Sequence, residues 1–212
     1  MSKSMLTPIG RISFPKLVKP DQYMPESKPK YSLALLIPKN EPQLMPFLKE
    51  LKQAVTDAAR EKHGEAQIPT AISNFSNLKD GDDVSLFKTY RAEYAGHYVL
   101  NMSRLAEHGK ACTVNRDKQP IDPSEIYAGC NGRAFIDVYG YTAGPKKGVT
   151  IGFQHVQKTG ENTPFSSTGT PVDDAFSNLG IEETLEGTGL AQGPQGPQGP
   201  TKTPIADPFA GV

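Results

Sequence analysis

The chain has 212 residues, 36% of them apolar, two cysteines and no net charge at pH 7. That length allows one domain with an appendage, and the low apolar share implies that part of the chain does not pack. The longest apolar run, Leu33 to Ile37, is far short of a membrane span, and no basic segment precedes an N-terminal apolar stretch. The expectation is a soluble cytoplasmic protein with neither anchor nor signal peptide.

The zero charge hides two unlike parts. Residues 1–160 carry 22 Lys and Arg against 16 Asp and Glu; residues 161–212 carry 1 Lys against 7 Asp and Glu. A basic body attracts a polyanion, and an acidic tail can compete for the same surface. Cys112 and Cys130 form no CxxC pair, and His63, His97, His108 and His155 are scattered, so no metal or cofactor is expected.

In chain order, residues 8–18 read as a strand interrupted at Pro15, which suggests an edge or a bend. Lys30 to Ile37 is almost continuously apolar, as in a strand buried on both faces. Residues 40–63 read as the one clear helix, with Asn40 as N-cap and Gly64 beyond its end. Its apolar positions Leu44, Phe47, Leu48, Leu51, Val55 and Ala58 follow the 3.6-residue period. Residues 65–93 look irregular, with a turn at Leu78–Asp83 whose acids lack the spacing of a calcium loop. Residues 94–104 read as a strand, and 111–114 as a short one.

The most informative stretch runs from Glu125 to Lys158. One parity holds Ile126, Ala128, Cys130, Ala134, Ile136 and Val138; the other holds Arg133, Phe135, Tyr139 and Tyr141, with Asp137 among them. A turn at Gly144–Lys147 leads into a strand from Gly148 with Val149, Ile151 and Phe153 on one face. The result is a hairpin with one apolar face and one of rings and a cation. Rings stack on unpaired bases and cations hold phosphates; the same rings equally suit a second core face under a helix or a partner chain. Beyond Lys158 the chain is rich in Gly, Pro, Ser and Thr and reads as a flexible tail, 161–212, following a body of residues 1–160. The tail contains GPQGPQGP (193–200), an extended spacer, and two acidic–aromatic boxes, Asp173-Asp174-Ala175-Phe176 and Asp207-Pro208-Phe209.

Five strands, one helix and a basic, ring-bearing face predict a mainly β, OB-fold-like five-stranded barrel. The sequence also resembles bacteriophage-encoded single-stranded-DNA-binding proteins with an OB-fold, a family first described as a domain of unknown function. The resemblance rests on KPKYSLALLIPK (28–39), LKDGDD (78–83), EYAGHYVLN (93–101), EIYAGCNGRAF (125–135), KKGVTIGFQHVQK (146–158) and the DDAF box (173–176). These pieces cover most of residues 8–176. The family pattern near the last strand often reads more like GVSAGL than the GVTIGF found at 148–153, and the Gly-Pro-Gln spacer and final DPF are additions. The DPF resembles the Pro-Phe tips of bacterial single-strand-binding proteins, but Ala210, Gly211 and Val212 follow Phe209, which displaces the terminal carboxylate.

The resemblance implies a non-catalytic binder of single-stranded DNA without sequence preference, acting in phage replication, recombination or repair in the host cytoplasm. Phe135, Tyr139 and Tyr141 are the candidate base-stacking rings, and Arg133, Lys146 and Lys147 the candidate phosphate ligands. Lys28, Lys30, Arg91 and Arg104 are second candidates from neighbouring segments. Asp173, Asp174, Phe176, Asp207 and Phe209 are candidates for covering the groove or recruiting phage or host replication proteins, and a homodimer is compatible with this reading. The Gly-Pro-Gln repeat motivates an alternative, a trimeric structural virion protein with no DNA affinity. An enzyme is not expected: the chain shows no Ser/His/Asp grouping, phosphate loop or paired-carboxylate pattern.

Overall fold

The computed structural model describes residues 3–22 and 24–165. Among these, eight strands form one sheet: β1 (Lys3–Leu6), β2 (Gly10–Asp21), β3 (Lys30–Pro38), β4 (Leu78–Asp80), β5 (His97–Leu105), β6 (Cys112–Val114), β7 (Asn131–Ala143) and β8 (Lys146–Gly160). Two helices, α1 (Leu44–His63) and α2 (Ile68–Ser73), fall between β3 and β4 in the chain. The strand order is β4-β5-β3-β2-β7-β8-β6, with β1 pairing β7 off this path. β8 returns alongside β5, where Arg104 Nη1 donates to the Phe153 carbonyl at 3.4 Å. β2, β3, β5, β8 and β7 thus form the expected five-stranded OB-like barrel, with β5 and β8 adjacent but not paired at its seam. The short strands β1, β4 and β6 are additions to it, and α2 is a second helix where one was expected.

The core follows the strand period. In β7, Ala134, Ile136 and Val138 point inward and meet Val149, Ile151 and Phe153 of β8 and Leu33, Leu35 and Ile37 of β3. α1 closes one end of the barrel with Leu44, Phe47, Leu51 and Val55. It begins at Leu44 rather than after Asn40, because Glu41 N–H donates to the Pro38 carbonyl and Leu44 N–H to that of Glu41, which makes two turns before the first helical bond. Gln43, not Asn40, therefore precedes the helix, with no side-chain cap bond. Pro46 takes the third helical position, whose N–H has no intrahelical acceptor in any case.

β2 passes through Pro15 by slipping register between Ser13 and Lys16, and Phe14 adopts φ 48° in the irregularity. Residues 65–93 are more regular than their sequence suggests, since α2 and β4 both lie there. The hairpin turn is tighter than expected. Ala143 pairs with Lys146, so only Gly144 and Pro145 form the loop, and Lys146 and Lys147 belong to β8. Gly144 supplies the φ of 57° that Pro145 cannot. Both cysteines are free, Cys112 exposed and Cys130 buried.

β3 is buried on both faces, as its apolar run implied. Its outward Ala34 and Leu36, with Val99 of β5, lie under Phe87, Tyr90, Tyr94 and Phe165. Phe87 and Tyr94 approach to 4.7 Å between ring centroids. Part of the barrel's outer surface is thus covered by the chain itself. The residues after β8 are pinned there: Glu161 pairs with Lys158 at 2.7 Å and accepts from Tyr127 Oη at 2.7 Å. The Arg11 guanidinium donates to the Thr163 carbonyl and lies 4.0 Å from the centroid of the Phe165 ring. Residues 166–212 lie outside the described residues, and with them Asp173, Asp174, Phe176, Asp207 and Phe209.

Candidate nucleic-acid interface

The uncovered part of the outer face is a groove along the seam of β5 and β8. Three hollows of about 680, 430 and 360 Å³ adjoin there, and Ser103 lines all three. The first is walled by Arg104, His108 and Lys110 on one side and by Asp137, Tyr139, Gln154 and His155 on the other. The second lies between Lys30, Asn74 and Asn77 and the rings of Tyr139 and Tyr141. The third ends at Lys28 and Lys30, beside Asp21.

The outer parity of β7 alternates with its core parity along the strand, so Arg133, Phe135, Asp137, Tyr139 and Tyr141 share one face as expected. The partner strand decides what each can do. Tyr141 pairs with Gly148, and a Cβ on Gly148 would stand 2.7 Å from its ring. The Tyr139 ring lies against Gly152, where a Cβ would come within 3.1 Å. Two glycines on β8 therefore leave the floor on which two tyrosines lie. Burial, then the nearby Asp137 carboxylate, raises the Tyr139 phenol above its ordinary value, so it stays a neutral donor. Phe135 pairs instead with His155, and the two rings stack with centroids 6.1 Å apart.

The cations divide. Lys30, Lys110, Lys146 and Lys147 form no ion pair among the described residues. Lys28 is paired with Glu107 at 3.0 Å on the surface, a contact that salt or a phosphate can exchange. Arg133 Nε donates to Gln157 Oε1 at 2.8 Å. Arg104 is the most committed: it donates to the carbonyls of Gly109 at 2.9 Å, His108 at 2.5 Å and Phe153 at 3.4 Å. Its guanidinium joins the barrel seam to the loop after β5, although its charge still faces the groove.

Of the ten residues expected to contact DNA, the groove walls include Lys28, Lys30, Arg104, Tyr139 and Tyr141. Arg133 and Phe135 on β7 and Lys146 and Lys147 on β8 lie beyond those walls. Arg91 is elsewhere, 4.4 Å from the centroid of the Phe14 ring and 3.9 Å from Glu93. Nothing in the local sequence pattern marks Ser103, Lys110, Gln154 and His155, which also line the groove. Only the register of β8 against β7 and the approach of β5 bring them to the groove. The acids of the LKDGDD turn are engaged by a cation of the chain itself: Lys39 Nζ lies 2.6 Å from both Asp80 and Asp82.

No helix of the described residues is long and apolar enough to cross a membrane. A family model described as "Enterobacter phage Enc34, ssDNA-binding protein" matches residues 3–186. The putative protein p50 of Acyrthosiphon pisum secondary endosymbiont phage 1 is 28% identical over 184 residues, 83% of this chain and 94% of that protein. Among solved structures, the single-stranded DNA-binding protein from bacteriophage Enc34, in complex with ssDNA, has a similar fold, with a TM-score of 0.65 at 23% identity, covering 77% of this chain and 89% of that one. The fold is also similar to that of gp2.5, a single-stranded DNA binding protein encoded by bacteriophage T7, with a TM-score of 0.56 at 16% identity, covering 89% of this chain and all of that one.

Proposed function

The chain belongs to the family of the Enterobacter phage Enc34 single-stranded-DNA-binding protein, and from that premise we propose that it binds single-stranded DNA along the β5–β8 groove without requiring a sequence. The observation that carries this reading is the groove's composition. Tyr139 and Tyr141 lie on one wall, and Lys30 and Lys110 form no ion pair with any described residue around it. Base–aromatic stacking tolerates any base, and lysines hold phosphates as mobile point charges. Arg133, Phe135, Lys146 and Lys147 extend the same track along the hairpin, and Lys28 and Arg104 add charge at its sides.

In this reading residues 1–160 are the binding body, and the acidic segment 161–212 competes with DNA for the groove or recruits replication and recombination proteins. The role is that of a strand-protecting protein in phage DNA metabolism in the host cytoplasm, without catalysis. The test is fluorescence anisotropy of a labelled oligothymidine and of a duplex across a salt series. The expected result is tight single-strand binding, weak duplex binding and a log–log salt slope near −0.7 per phosphate contacted. Absence of single-strand binding at low salt overturns the proposal.

A further inference from the structure

A carboxylate is out of place in a groove that holds phosphates, yet Asp137 stands in the wall of the first of these hollows. No described cation pairs with it. Both of its oxygens are held by neutral donors instead: Ser4 Oγ donates to Oδ1 at 2.6 Å, and Gln154 Nε2 donates to Oδ2 at 2.7 Å. These bonds tie β1 and β8 to the carboxylate of β7 and fix its direction. A carboxylate offers about four lone-pair sites, so two accepted bonds leave acceptor capacity on each oxygen. Gln154 Oε1 accepts from no described residue. The wall therefore presents acceptors, beside the Tyr139 ring and facing Arg104 and Lys110.

We infer that this hollow is a base-reading subsite that prefers guanine; the inference rests on the proposed DNA-binding function. Guanine carries adjacent N–H donors, on its ring N1 and its 2-amino group, which match a carboxylate bidentately. Thymine offers one N–H between two carbonyls, and those carbonyls would face the acceptors of Asp137 and Gln154. Adenine and cytosine set a single amino group beside a ring acceptor and make one bond at most. A guanine stacked on Tyr139 with this edge toward Asp137 leaves its phosphate on the side of Lys110. The volume of about 680 Å³ accommodates a nucleotide. The rest of the groove stays tolerant, so the preference appears at one position of the bound strand.

The test uses the full-length protein and labelled oligothymidines in which a single dG, or a single deoxyinosine, is moved along the strand. Bidentate recognition of a base is typically worth enough to give about tenfold tighter binding at the best dG position, with deoxyinosine, which lacks the 2-amino group, recovering only part of that gain. Asp137→Asn replaces one acceptor with a donor and removes a negative charge; it is expected to erase the dG preference and to tighten oligothymidine binding a few-fold. Equal affinity for all strands, a deoxyinosine strand as tight as dG, or a preference that survives Asp137→Asn overturns the inference while leaving the DNA-binding function standing. Failure to bind any strand overturns both.

Discussion

Tyr139 and Arg104 face the same hollow and are expected to fail in different ways when truncated. Tyr139 is 37% exposed and lies on Gly152, so Tyr139→Ala removes a stacking surface and the packing of that ring on the sheet. The expected loss is about 1–3 kcal/mol of single-strand affinity, with a smaller fall in the urea midpoint than for Arg104→Ala. Arg104 holds three carbonyls. Arg104→Ala is expected to lower stability by about 2 kcal/mol in urea titration, a typical value for hydrogen bonds from a charged donor, before any effect on DNA is counted. Parity along β7 made Arg133, Phe135, Tyr139 and Tyr141 legible as one face, because side chains alternate on a strand whatever its neighbours. Nothing local distinguishes a ring laid on a glycine from one stacked on a histidine. That difference is set by the register of β8, which pairs Tyr141 with Gly148 and Phe135 with His155.

At the scale of elements, the strands with strong patterns were readable and those that depend on a partner were not. β3 announced its double burial by an unbroken apolar run, and the outer cluster of Phe87, Tyr90 and Tyr94 is what covers its second face. α2 is six residues long and β4 three, too short for any period to register, and both are held by packing against α1 and β5. The turn after β4 is fastened by Lys39 to Asp80 and Asp82, and Gly96 N–H donates to Asp82 at 2.7 Å. Hydrogen bonds from Lys39 hold both carboxyls below their ordinary value. Their contribution is therefore complete above the ordinary carboxylate range and is lost as pH falls through the lowered folded-state values. The protection of the Gly96 amide, its exchange rate relative to the intrinsic rate at each pH, should be high at neutral pH and fall below about pH 4, the ordinary carboxylate value. Lys39→Met should bring that loss of protection in at a higher pH.

For the molecule as a whole, the barrel and the charge division carry separate predictions. Phe153 is fully buried between β7, β8 and the core, and Phe153→Ala is expected to cost about 3–5 kcal/mol in urea titration. The acidic excess of residues 161–212 should lower the apparent affinity of the basic body at low salt and matter little once charges are screened. Truncation after Gly169 keeps the pinned contacts of Glu161 and Phe165 and is expected to tighten oligothymidine binding at low salt, with the two proteins converging at high salt; equal affinities at low salt would remove the tail from the binding equilibrium. The charge division was visible in composition alone, because charges need no fold to be counted. The closure of the barrel was not, because it depends on β8 meeting β5 across about fifty residues of chain.

The two glycines under the tyrosines also bear on how fast a strand can be captured. Each ring rests on backbone where a side chain would otherwise stand, so its rotamer is settled before any ligand arrives. The entropy of fixing these rings is spent during folding and is not charged again at association. Capture then has no side-chain rearrangement to wait for, and its rate should follow diffusion and the field of the basic groove: steep in salt, shallow in viscosity-corrected temperature, and single-exponential from the first encounter.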